Sequence, residues 1–123
     1  MEVKSIRLNV SDLEKEVAFF TNFLDVKEKS IIDGKATLRF ENRIELILVY
    51  VENKGKDERP NQMFYKGIHH IAFSVGSESK VDEITAKVKA SGYTVISGPR
   101  RTDDGYYESA FYDDEKNQIE ITV

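Results

Sequence analysis

The sequence predicts an α+β domain of two βαβββ modules, whose sheets would enclose a cleft if they curled around their polar faces. Three observations predict this. First, Asn42-Arg43-Ile44-Glu45-Leu46 and Asn117-Gln118-Ile119-Glu120-Ile121 share one Asn-x-Ile-Glu-aliphatic pattern, 75 positions apart. Each follows a polar turn and lies in a β-branched run, so each reads as a strand. Second, Ser5-Ile6-Arg7-Leu8-Asn9-Val10 lines up with His70-Ile71-Ala72-Phe73-Ser74-Val75 at an offset of 65. Third, the same order of elements, one helix and then three strands, follows each of these opening strands. The larger offset at the closing strands fits a longer loop around residues 98–105 in the second copy.

The elements follow in order. In residues 5–10, Ile6, Leu8 and Val10 share one face and Ser5, Arg7 and Asn9 the other, the pattern of a half-buried strand. Ser11 and Glu14 have capping-box spacing and open a helix. Leu13, Val17, Phe20 and Leu24 form its core stripe, with Phe19 and Phe23 also in the core. Strands over 26–32 and 35–40 flank Asp33-Gly34, a hairpin turn. After the turn Glu41-Asn42, the strand carrying Glu45 runs to about Val51. This first module covers 1–52. Residues 53–67 are polar and turn-rich and read as a linker, with Met63-Phe64-Tyr65 packing back onto the body or a partner.

The second module covers 68–123. A strand through His70, Ala72 and Ser74 leads to a helix over 79–91, striped by Val81, Ile84 and Val88, with Gly92 at its left-handed C-terminal cap. Tyr93 to Ser97 is a strand, Gly98-Pro99 a turn and 100–105 a polar loop. Tyr106 to Tyr112 and Gln118 to Val123 are the last two strands. Both modules together make a single domain of 123 residues.

Bulk properties exclude several function classes. The formal charge is −4, from 22 acidic and 18 basic residues, so there is no basic footprint for nucleic acid. There is no cysteine, which removes disulfides, thiol nucleophiles and thiolate metal sites and suits a reducing cytoplasm. Met1 to Val10 has no continuous apolar segment, so no signal peptide is expected. The greasiest stretch, Ile44 to Val51, is too short to cross a membrane.

The chemistry is expected on the polar strand faces. A glutamate in mid-strand is costly to bury unpaired. Its recurrence suggests that each copy points a carboxylate, Glu45 or Glu120, toward a common place, with His70 on the same kind of face. Carboxylates converging with an imidazole call for a divalent cation, and oxygen and nitrogen ligands suit Zn, Ni, Mn, Fe or Co. From the residues alone, His70 reads first as a hydrogen-bonded strand histidine, ahead of the metal reading. Strand alternation puts His69 on the opposite face, outside the ligand set.

The paired βαβββ pattern resembles the vicinal oxygen chelate superfamily, which includes glyoxalase I, bleomycin-resistance proteins, fosfomycin-resistance enzymes and extradiol dioxygenases. The resemblance spans essentially the whole chain. It rests most on Gly67-Ile68-His69-His70-Ile71-Ala72-Phe73-Ser74-Val75, Gly92-Tyr93-Thr94-Val95, Asp104-Gly105-Tyr106-Tyr107-Glu108-Ser109 and Asn117-Gln118-Ile119-Glu120, and is greatest to small bacterial glyoxalase-like members. It implies metal ligands at Ser5, Glu45, His70 and Glu120, of which Ser5 departs from the family's histidine and is a poor neutral ligand. The turn Asp113-Asp114-Glu115-Lys116-Asn117 departs from Asp-Pro-Asp/Glu-Gly-Asn, at an expected cost in turn stability.

The resemblance further implies a divalent-metal-dependent lyase or isomerase acting on a small oxygenated metabolite. Metal-stabilised enediolate-type chemistry would use Glu120 or Glu45 to move the proton. Arg7, Asn9, Tyr106 and Glu108 would contact the substrate; read alone, each is a solvated strand-surface residue. The alternative is a metal-free, ligand-sequestering protein of the bleomycin-resistance type. A cytoplasmic homodimer is expected in either case.

Overall fold

The computed structural model describes residues 1–52 and 67–123. The chain separates into two compact units, Met1–Lys56 and Asp57–Val123. The segment Met63-Phe64-Tyr65 lies outside the described residues.

In the first unit β1 (Ser5–Val10) leads into α1 (Leu13–Phe23), then β2 (Glu28–Ile32), β3 (Lys35–Arg39) and β4 (Glu45–Tyr50). The sheet order is β1-β4-β3-β2. β1 runs parallel to β4, and the two other pairings are antiparallel. The helix buries Val17, Phe19, Phe20 and Phe23 against Leu38, Leu46 and Leu48 of the sheet. Phe19 meets Phe20 and Phe23 edge-on, with ring centroids 5.3 and 5.2 Å apart, the favoured geometry for aromatic pairs. The helix cap is Asp12, not Ser11: the Lys15 backbone N–H donates to Asp12 Oδ1 at 3.0 Å. Asp33 (φ 48°) and Gly34 (φ 76°) both take the left-handed conformations that a two-residue hairpin of this type requires.

The second unit repeats the plan: β5 (Ile71–Ser74), α2 (Glu78–Ala90), β6 (Val95–Arg101), β7 (Tyr107–Tyr112) and β8 (Gln118–Thr122), in the order β5-β8-β7-β6. Each sheet is mixed, with its opening strand parallel to its last. Val81 and Val88 of α2 pack with Phe111, Ile119 and Ile121, all fully buried. Ser77 caps α2, accepting from Lys80 N, and Gly92 (φ 90°) ends it as expected. Tyr107 Oη donates to Asp82 at 2.6 Å, and Arg101 pairs with Glu78, so polar links also tie α2 to the β6–β7 edge.

Two expectations are corrected in this unit. Gly98-Pro99 does not turn the chain. β6 continues through it to Arg101, with register shifts between Val95 and Ser97 and between Ser97 and Arg100. β6 is an edge strand, where a proline's missing N–H is tolerated and bulges absorb the irregularity. Tyr106 precedes β7 instead of opening it, because its backbone turns back on the loop: Tyr106 N donates to Thr102 Oγ1 and Tyr106 O accepts from Thr102 N.

The turn before β8 carries no glycine, and Lys116 takes its left-handed position at φ 61°. Asp113 holds the turn by accepting from Glu115 N, Asn117 N and Asn117 Nδ2 at 2.7–2.9 Å.

Two substitutions check these backbone assignments by chemical denaturation. Lys116→Gly is expected to stabilise the protein by about 1 kcal/mol, because it relieves a left-handed non-glycine residue. Gly98→Ala is expected to destabilise by about 3 kcal/mol. Gly98 has φ 86°, and a Cβ there would overlap Glu108 O and come within 2.9 Å of Ser109 Cα.

Candidate functional site

Alternation places the helix-facing residues of the second sheet at Phe73, Ile119, Ile121 and Phe111. The opposite face carries Ala72, Ser74, Gln118, Glu120, Thr122, Glu108, Ala110 and Tyr112. Glu120 lies at its centre, on an interior strand, directly across from Ala72 on one side and Ala110 on the other. Two small neighbours leave room for longer side chains from the diagonal positions. His70 comes from one diagonal, with Nε2 3.8 Å from Glu120 Oε2. Glu108 comes from the other, close enough for its carboxyl to feel that of Glu120.

The surroundings are partly dry: the side chains of Glu120 and Glu108 are 17% and 18% exposed, and Ala110 is buried. Burial, and after it the neighbouring Glu120 carboxylate, push the Glu108 carboxyl up from the usual glutamate range. Arg100 works against this, with Nη2 3.7 Å from Glu108 Oε1. Thr122 Oγ1, on the same face, is buried with no hydrogen-bond partner among the described residues.

His70 precedes the ladder, which starts at Ile71, so strict alternation does not govern its neighbour. His69 Nδ1 lies 2.8 Å from His70 Nδ1, and the rings meet edge-on at 5.1 Å. Setting His69 aside on alternation therefore misses a direct contact. The doublet His69-His70, just before a strand's first paired residue, is the one feature of the sequence that points to it.

In the first unit, one cross-strand row carries Glu28, Arg39, Glu45 and Ser5 on four successive strands. Arg39 Nε and Nη2 both lie 2.9 Å from Glu45 Oε1, and Nη1 reaches Glu28 at 3.2 Å. Hydrogen bonds to Glu45 and then Glu28 raise the Arg39 pKa further. Ser5 stands directly across from Glu45 and is exposed. Arg7 and Asn9 share its face and bond each other, Arg7 Nε to Asn9 Oδ1 at 3.1 Å.

The two Asn-x-Ile-Glu copies are not equivalent in register. Glu45 pairs with Ser5, but Glu120 pairs with Ala72, two residues beyond His70. Strand order repeats between the modules; ladder register does not.

Among the described residues no three His, Asp or Glu side chains form a metal-binding cluster. His70 and Glu120 do bring one imidazole nitrogen and one carboxylate oxygen close enough to share an ion; the buried Thr122 hydroxyl lies two residues along β8 from Glu120, on the side away from His70. This donor chemistry fits a divalent transition metal. No helix among the described residues is long and apolar enough to cross a membrane.

Two four-stranded mixed sheets, each with its helix on one face and acidic or imidazole groups on the other, define a paired-module α+β protein. The chain belongs to the glyoxalase/bleomycin resistance protein/dioxygenase superfamily, whose model matches residues 2–121. It is 31% identical over 125 residues to the metallothiol transferase FosB of Lysinibacillus sphaericus, covering 98% of this chain and 83% of that protein. Among solved structures, a glyoxalase/dioxygenase from Nostoc punctiforme matches with TM-score 0.82 at 19% identity, covering 98% of this chain and 89% of that one. The fosfomycin resistance protein FosX of Listeria monocytogenes, solved with Mn(II) and 1S,2S-dihydroxypropylphosphonic acid, matches with TM-score 0.74 at 22% identity, covering 98% and 88%.

The carboxyl pair makes a prediction. A folded-state pKa raised above the unfolded value means that ionising Glu108 costs stability. The cost is absent below the unfolded value and is incurred as pH rises through the folded one. Glu108→Gln is therefore expected to melt higher than the parent at about pH 7, with the gap closing toward about pH 4. Thermal melts across that range check it, and a gap that stays constant refutes it.

Proposed function

We propose that this protein is a divalent-metal-dependent lyase or isomerase of glyoxalase type, acting on a small oxygenated metabolite. The observation that carries the reading is the His70–Glu120 pair, an imidazole nitrogen and a carboxylate oxygen 3.8 Å apart on a partly dry sheet face. FosX, solved with Mn(II) and a phosphonate diol, supports a small oxygenated ligand beside a metal in this superfamily. FosB, a metallothiol transferase by name, supports metal use.

In this reading His70 and Glu120 hold the ion, and Glu45 is assigned to the same ligand set by the sequence resemblance. The bound ion would supply Lewis-acid stabilisation of negative charge on a substrate oxygen. Glu120 moves the substrate proton. Glu108 is suited to assist it, because burial and the neighbouring carboxylate favour its protonated form, which can donate a hydrogen bond. Arg7, Asn9 and Tyr106 contact the substrate from exposed positions. We place the protein in the cytoplasm as a homodimer. Exposed Ile31, Ile32 and Tyr50 near the β2–β3 hairpin support a partner surface.

A second reading, metal-free ligand sequestration, is favoured by one observation. Glu45 already has a permanent cation in Arg39, and its cross-strand neighbour Ser5 is a poor ligand. Metal analysis of protein purified without a histidine tag separates the two. The enzyme reading expects near-stoichiometric metal. It also expects His70→Ala and Glu120→Gln each to lose more affinity than the roughly 10- to 100-fold that outer-shell changes cause, and Ser5→His to tighten binding. Substoichiometric metal, unchanged by His70→Ala, overturns it.

A further inference from the structure

The contact between His69 and His70 has chemical consequences beyond those of a surface hydrogen bond. Two imidazole nitrogens 2.8 Å apart cannot both present lone pairs, nor both present hydrogens, so one proton lies between them. When both rings are neutral, each carries a single N–H. If His69 donates, His70 must carry its own proton on Nε2, facing Glu120 Oε2 at 3.8 Å. If His70 donates from Nδ1, its Nε2 presents a lone pair on that side, and His69 carries its proton on Nε2. The two arrangements have the same net charge. His69 is exposed, so its Nε2 can exchange a proton with water.

We infer that His69 is a positioning residue that selects the tautomer of His70. With no cation present, His69 donates and His70 turns an N–H toward the Glu120 carboxylate. When a cation takes the His70 Nε2 lone pair, both rings change tautomer together: His70 now donates from Nδ1, and His69 accepts. A neighbour that could only donate would hold His70 in the form unable to ligate. A neighbour unable to bond at all would leave the ring's orientation unfixed. Imidazole, able to take either role through one atom, permits both states. The cation-bound half rests on the function proposed above; the metal-free half does not.

Long-range proton–nitrogen NMR of the two imidazoles tests this on the full-length protein, with Zn(II) as the probe. In the metal-free protein His70 is expected as the Nε2–H tautomer, with its Nδ1 resonance displaced by the hydrogen bond. His69→Ala should move that resonance to the position of a non-bonded nitrogen; a resonance that does not move overturns the inference, whether or not zinc binds. On adding Zn(II), His69 and His70 should change tautomer together. A change in His70 with none in His69 also overturns it. Zinc affinity is expected to fall about 10- to 100-fold in His69→Ala and to recover to within a few-fold in His69→Gln, whose amide can donate or accept. If the parent binds no zinc, the proposed function fails, while the metal-free comparison still decides the role of His69.

Discussion

A glutamate on an interior strand, largely shielded from water, must find partners, and in the second module the arrangement around Glu120 follows from that requirement. Burying an unpartnered carboxylate costs more than a domain of this size can tolerate. Ala72 and Ala110 flank Glu120 on the adjacent strands. Neither offers a polar atom, but both are small enough to let His70 and Glu108 reach it from diagonal positions. One partner supplies an imidazole and the other a carboxyl held above its ordinary pKa.

The first module meets the same requirement differently. Glu45 lies in a row with Arg39 and Glu28, and the guanidinium lies between the two carboxylates. Arginine stays charged at every pH the protein encounters, so this neutralisation is permanent. The exposed setting of Arg39 makes the row a modest contributor to stability. Its effect is on chemistry: a cation approaching Glu45 competes with one already in place. The duplicated motif thus leads to two electrostatic outcomes, one fixed and one adjustable.

Much of this was legible in the sequence. Period-two alternation assigned the helix-facing and opposite faces of β1, and Asp33-Gly34 and Gly92 marked left-handed turns by their residue types. Alternation carries no information about how far one strand slides along another, however. That slide depends on bulges and turn geometry, so the two-residue difference separating Ser5–Glu45 from the His70–Glu120 arrangement stayed hidden. Gly98-Pro99 reads locally as a turn; only the position of β6 at an edge lets a strand run through it. Asp12 outcompeted Ser11 as the helix cap, a choice between adjacent good capping residues that spacing could not make.

The least legible feature is also the one with most chemical content. The strand pattern puts His69 and His70 on opposite faces, a conclusion valid only where the backbone is held in a ladder. The ladder starts at Ile71, and upstream of it the backbone is free of that constraint. An extended segment just outside a sheet can therefore bring neighbouring side chains together, where a segment inside it separates them. A histidine at the ladder's edge keeps one nitrogen for Glu120 and turns the other to its neighbour, while Ser5, paired within β1, has no such freedom. The structural asymmetry between the modules arises as much from where each ladder begins as from which residues are present.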